Sequence, residues 1–279
     1  MASTTNLTLA FSPCPNDCFM FDALVNKRIP NASILQYSLS DIQDLNEAVI
    51  SGKGPDVSKV SFAALPHILS DYQLLDVGAA MGYGNGPLLI SASANFPMEG
   101  INANTPIAIP GMNTTANALL RHALGNELTV VPMLFSEIED KVARKEFPLG
   151  LIIHENRFTY ARKGLFLCLD LGAHWEKTTG LPVPLGAIVI KRSLPDAVKK
   201  SFCQLLRKSI QYAFDFPETS NQFVAQHAQE MDAEVCKQHI ALYVNSFSLS
   251  MGEKGMEAAR VLLKLLGYDA DFEKDCVFV

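Results

Sequence analysis

Four short polar stretches stand where apolar, strand-like runs give way to helical patterns, and each carries residue types suited to a chemical task. The first is Ser12-Pro13-Cys14-Pro15-Asn16-Asp17. Its two prolines fix the backbone, and Asn16 or Asp17 suits a helix N-cap. Capping accounts for the Asn and Asp but leaves the paired prolines unexplained, so Ser12 and Asn16 are also candidate ligand contacts. The second is Ser58-Lys59-Val60-Ser61. A lysine in an apolar strand end is costly to bury without a partner. It either meets an anionic ligand at the start of the next helix or lies along the surface with its amine in water. The third is Pro110-Gly111-Met112-Asn113-Thr114-Thr115-Ala116. A glycine allows a tight turn, and two hydroxyls open a helix whose free N–H groups and positive dipole end suit a carboxylate or phosphate. An N-cap needs only one such residue; the pair Thr114 and Thr115 favours an anion site.

The fourth stretch, Gly150 to Tyr160, is an apolar strand that delivers His154 and Glu155 at its carboxyl end. Imidazole titrates near neutrality, so a positioned His154 is the candidate proton acceptor. Neighbouring strand residues face opposite sides, so a direct His154–Glu155 pair is not expected. His67, His122, His174, His227 and His239 fall on helical stretches or their ends and read as structural. Of the six cysteines only Cys14 and Cys18 are close, and their C-x3-C spacing is neither a redox pair nor a zinc knuckle. No metal site is expected. The run Gly82-Tyr83-Gly84-Asn85-Gly86-Pro87 lacks the dinucleotide fingerprint and reads as a loop at a hinge or cleft rim.

The elements that must position these turns alternate. Strands are expected at Leu7–Phe11, Ile34–Tyr37, Val57–Val60, Leu74–Val77 and Leu88–Ile90. Helices are expected after Asn16 or Asp17, after Ser40 or Asp41, and over Phe62–Leu69, the last delayed or kinked by Pro66. A cleaner β-α-β-α-β block runs through Ile107–Ile109, Thr114–Leu124, Leu128–Val131, Ser136–Lys145 and Leu149–Ile153. Leu165–Leu169 and Gly186–Ile190 add strands, and helical segments near 196–214, 218–229, 232–244 and 253–266 follow. The fold class is therefore α/β. A self-contained block inside an alternating chain implies two lobes, 1–92 with 186–279 and the inserted 93–185, with a cleft between them. One continuous doubly wound sheet is the competing arrangement. The length of 279 residues, at about 150 per domain, favours two lobes. In open α/β sheets ligands bind beyond the carboxyl ends of the strands, where all four polar turns fall.

Composition narrows the partners. Hydrophobic residues make up 48% and charged ones 19%, as in a globular protein. A net charge of −6 argues against a nucleic-acid footprint. No 18-residue apolar run can span a bilayer, and the start lacks the charged region of an export signal. A cytoplasmic setting with reduced thiols is the corresponding expectation.

Taken together and in order, these motifs resemble the 1,4-dihydroxy-6-naphthoate synthases of the futalosine route to menaquinone. The resemblance extends through Leu181-Pro-x-Pro-Leu-Gly186-Ala187-Ile188 and Tyr243-Val-Asn-x-Phe-Ser-Leu249, so nearly the whole chain takes part. It implies a two-lobed, periplasmic-binding-protein-like (type II) fold with a ligand cleft. It implies a carbon–carbon lyase acting on cyclic dehypoxanthinyl futalosine, a carboxylate, without metal or redox cofactor. It places the proton acceptor at His154 and the substrate loops at Lys59, Val60 and Ser61 and at Thr114 and Thr115. Two other readings stay open: chorismate dehydratase of the same pathway, against which the Gly-Leu-Ile-Ile-His-Glu stretch speaks, and a non-catalytic binding protein for a small carboxylate. The oligomeric state is left open, a homodimer included.

Overall fold

The structure is a computed structural model that describes residues 7–30, 32, 36–228 and 232–278. Its strands are β1 (Thr8–Phe11), β2 (Gln36–Leu39), β3 (Val57–Ser61), β4 (Tyr72–Leu75), β5 (Ala80–Gly82), β6 (Leu88–Ser91), β7 (Ile107–Ile109), β8 (Val130–Pro132), β9 (Leu149–Ile152), β10 (Phe166–Asp170), β11 (Val183–Lys191) and β12 (Cys276–Val277). The helices are α1 (Pro15–Val25), α2 (Ile42–Ile50), α3 (Thr115–Leu124), α4 (Phe135–Ala143), α5 (Asn156–Thr159), α6 (Leu171–Thr179), α7 (Asp196–Asp215), α8 (Asn221–His227), α9 (Ala233–Tyr243), α10 (Ser246–Leu249), α11 (Gly252–Leu265) and α12 (Phe272–Asp275).

These strands form two sheets. The first has the order β12-β4-β11-β3-β1-β2, with β5 also on β11, and the second has the order β10-β6-β9-β7-β8. The β-α-β-α-β block forms the parallel part of the second sheet, β9-β7-β8. β6 and β10 close its other side in antiparallel fashion. In the first sheet β1, β2 and β3 are parallel, whereas β11 runs antiparallel to β3. The carboxyl ends of β1, β3, β7 and β9 carry the four polar turns into the space between the sheets. A hydrophobic cluster continuous between the sheets, containing Val60, Leu89, Ile107 and Trp175, packs them together.

Several expected boundaries move. The second sheet already includes β6, and β11 of the first begins at Val183, so the chain changes sheets within 83–87 and 171–182 instead of at 92/93 and 185/186. The glycine-rich run makes the first crossing. Gly84 has φ +68, and a Cβ on Gly86 would overlap the backbone of Gly172 in α6. Helix α6 carries His174, as a helical stretch there implied; its Trp175 is fully buried and donates to the Pro182 carbonyl at 3.0 Å. Phe62–His67 is a 3₁₀ turn, as Pro66 removes a donor inside it. Of the strand expected at Ile34–Tyr37, Ile34 and Leu35 lie outside the described residues, and the strand runs Gln36–Leu39. Among the described residues no helix is long and apolar enough to cross a membrane, and all six cysteines are free.

Gly86→Ala is expected to destabilise the chain by about 1–3 kcal/mol, because backbone must move to admit the methyl group. Urea unfolding of the variant against wild type checks this.

Candidate active site

The residues at the ends of β1, β3, β7 and β9 line one cleft. Ser12, Asn16, Lys59, Ser61, Thr114, Thr115 and His154 all face it. Asp17, Asn85, Tyr243 and His239 join them. Val60 does not. Strand alternation turns its side chain to the opposite face of β3, where it is fully buried in the apolar cluster.

The first turn is organised around Asp17. Neither Asn16 nor Asp17 is the N-cap of α1: that position is Cys14, with Pro15 following, and the Cys14 side chain makes no cap bond. Asp17 sits in the first turn, where the helix dipole favours a carboxylate, and is 1% exposed. Its Oδ1 accepts from Lys59 Nζ at 2.7 Å and Asn16 Nδ2 at 3.0 Å. Its Oδ2 accepts from Ser12 Oγ at 2.7 Å and from the Ser12 N–H at 3.3 Å. Lys59 thus has its anion within the protein and is 3% exposed. The expectation that its charge awaits an anionic ligand is corrected: β3 lies beside β1, and the pairing carries Lys59 to the start of α1.

The threonine pair is likewise engaged. Thr114 caps α3, accepting from the Asn117 N–H at 3.3 Å while donating to the Gly111 carbonyl at 2.8 Å. Thr115 Oγ1 donates to the Leu185 carbonyl at 2.8 Å and accepts from the Ala63 N–H at 3.2 Å, joining the second sheet's helix to the first sheet. A hydroxyl has one proton to donate, and both are spent. An anion here would be met by the N–H groups of Thr115 and Ala116, since that of Asn117 is held by the Thr114 cap. Asn46, which sequence reasoning passed over, ties the same turns together. It accepts from the Ser61 N–H at 2.8 Å and donates to Ser61 Oγ at 3.1 Å and to the Asn113 carbonyl at 3.3 Å.

His154 stands at the end of β9 with φ +58, a left-handed conformation that costs a non-glycine residue about 1–2 kcal/mol. Its ring packs edge-on to Phe135 at 4.9 Å and lies 3.6 Å, through Nδ1, from Cys14 Sγ. Its Nε2 is buried and makes no hydrogen bond. Burial holds its pKa down at about 4; Asp17 opposes that shift and Lys59 adds to it. The imidazole is therefore neutral at physiological pH. Cys14 is pushed well above the usual thiol range, first by burial and then by Glu155, and stays protonated.

His239 is the main residue the sequence reading set aside. It is 1% exposed on α9, and its Nε2 lies 2.9 Å from Asn16 Oδ1. Burial holds its pKa well below the usual value, with His154 and Lys59 adding to the effect. Tyr243, whose ring lies 4.5 Å away, is pushed up to about 12 by burial. The signal existed: Val235, His239 and Tyr243 recur at i, i+4 and i+8, which places the histidine on the buried face of its helix.

A family model described as menaquinone biosynthesis matches residues 7–268. The chain belongs to this family. A curated relative from Streptomyces coelicolor, named 1,4-dihydroxy-6-naphthoate synthase, is 43% identical over 94% of this chain and 93% of its own length. One of the same name from Thermus thermophilus is 42% identical over 90% of each. The resemblance drawn from the motifs therefore holds at family level, as does the role in menaquinone biosynthesis. The alkanesulfonate-binding protein SsuA of Xanthomonas axonopodis shares the fold, with a TM-score of 0.70 at 14% identity over 96% of this chain and 94% of its own. The expected periplasmic-binding-protein-like architecture is thus present.

Two outcomes follow from this geometry. Asp17→Ala leaves a buried ammonium unpaired and is expected to lose about 3–5 kcal/mol of stability; adding Lys59→Met should recover part of that loss in urea unfolding. His154 has a folded pKa below its unfolded value of about 6.5. Its contribution is complete above pH 6.5 and declines as pH falls toward 4, by about 3 kcal/mol at pH 4. Unfolding of His154→Gln across that range should show a correspondingly shallower pH dependence than wild type.

Proposed function

We propose that the cleft converts cyclic dehypoxanthinyl futalosine to 1,4-dihydroxy-6-naphthoate and a sugar-derived fragment, with His154 as the general base. The observation that carries this reading is a neutral imidazole set at the end of a buried strand and facing a cleft bounded by both sheets. The naming of the curated relatives supports the reaction. The naphthoate carboxylate is assigned to the Thr115 and Ala116 N–H groups at the start of α3, with Ser61 and Asn16 along the walls. His154 takes a proton from the substrate, and aromatisation of the ring system drives the carbon–carbon cleavage that follows. The protein's part is to hold the substrate, accept the proton and exclude water. Asp17 and Lys59 cancel each other's charge and keep the wall rigid without adding a free ion. This chemistry fits a cytoplasmic protein acting on a soluble carboxylate.

The decisive assay incubates the protein with the cyclic substrate and measures the naphthoate product, with chorismate in a parallel reaction. Product from the first and none from the second is expected; chorismate loss alone would assign the sibling dehydratase activity, and binding without turnover a carrier. His154→Asn should lower kcat by about 10²–10⁴ with KM little changed. The acid limb of kcat/KM should have its midpoint near pH 4, set by the lowered His154 pKa, instead of near 6.5.

A further inference from the structure

Spacing along the chain offers no metal site, yet folding brings three ligating side chains together. Cys14 Sγ, a ring nitrogen of His154 and a carboxylate oxygen of Glu155 all lie within 4.8 Å of one another. Cys14 comes from the turn after β1 and the other two from the turn after β9, so each sheet contributes. The separation between Cys14 Sγ and His154 Nδ1 is 3.6 Å. In a tetrahedral zinc site, with Zn–S about 2.3 Å and Zn–N about 2.0–2.1 Å, two such ligands stand about 3.5 Å apart. This pair is already at ligand spacing.

A second, independent feature points into the same spot. His239 is 1% exposed, and its Nε2–H donates to Asn16 Oδ1 at 2.9 Å. That bond leaves the lone pair on Nδ1, which is buried, makes no hydrogen bond and lies 3.7 Å from Glu155 Oε2. Metal-binding imidazoles are usually fixed in this way, one ring N–H donating to an oxygen acceptor and the other nitrogen left for the metal.

We propose that the turns after β1 and β9 form a site for a zinc-class divalent cation held by Cys14, His154 and Glu155, with His239 beside the remaining position. The mixed sulfur, nitrogen and oxygen donors select zinc, cobalt or copper over magnesium or calcium. On binding, the Cys14 S–H bond is replaced by an S–metal bond and its proton goes to solvent. Thiolate and carboxylate then balance the two positive charges of the cation, while Lys59 remains paired with Asp17. The site does not depend on the activity proposed above. If that activity holds, the cation is an inhibitor, because it occupies the nitrogen of His154 that faces Cys14 and fixes the ring.

The test is a titration of the full, reduced, chelator-stripped chain with Co²⁺, read by the near-ultraviolet thiolate-to-cobalt absorption and repeated as Zn²⁺ displacement. One equivalent with a saturable thiolate band is expected. Cys14→Ser, a residue type well suited to a helix N-cap, should abolish the band. Glu155→Gln should weaken Zn²⁺ binding beyond the 10–100-fold typical of an outer-shell change. Cys168→Ser should leave both readouts unchanged. Circular dichroism and urea unfolding establish that each variant is folded; if Cys14→Ser is not, the Glu155→Gln affinity decides. A wild-type chain without a saturable band, a band that survives in Cys14→Ser, or unchanged affinity in Glu155→Gln overturns the site.

Discussion

Asp17 and Lys59 are opposite charges held 2.7 Å apart out of reach of water, and the polar architecture of the cleft follows from satisfying them. A buried ion pair has little value unless its remaining lone pairs and protons are also bonded. Ser12 and Asn16 supply the other donors to Asp17, and Asn16 in turn fixes His239. One carboxylate at the start of α1 thereby sets the positions of a lysine from β3 and a histidine from α9. The two prolines of this turn hold its backbone while the side chains converge.

The second constraint is the joining of the two sheets. Thr115 bonds Ala63 and Leu185, Asn46 bonds both Ser61 and Asn113, and Gly86 lies against Gly172. The Thr115 bonds and the Asn46–Asn113 bond cross from one sheet to the other, and Gly86 packs on Gly172 where the chain enters and leaves the second sheet. They bring the ends of β3 and β7 together and leave the end of β9 facing that of β1. Of the two threonines that look like anion ligands in the sequence, Thr115 is a closure contact and Thr114 a helix cap.

His154 gains its chemical character from enclosure. Burial disfavours the imidazolium and holds the pKa near 4, so the ring arrives with its lone pair available. The left-handed backbone that aims it is strained, and strain of this kind persists only where the surroundings fix it. The same enclosure keeps the Cys14 thiol protonated beside it. A histidine, a thiol and a carboxylate share a small space there without a net positive charge of their own.

The sequence by itself determined the α/β class, the β-α-β-α-β block, the four polar turns at strand ends, and His154 as the residue to watch, since period and turn chemistry are local properties. It also carried the family, through motifs ordered along nearly the whole chain. It did not determine where the chain changes sheets, because β6 and β11 are defined by partners far away in sequence. Nor did it show that Lys59 already has its anion, that Val60 turns into the core, or that His239 and Cys14 face the same cleft as His154. Those pairings span 42 to 223 residues. Only tertiary structure decided them, because hydrogen bonds and burial act between neighbours in space, and a residue's spacing along the chain records nothing of which strand end it will meet.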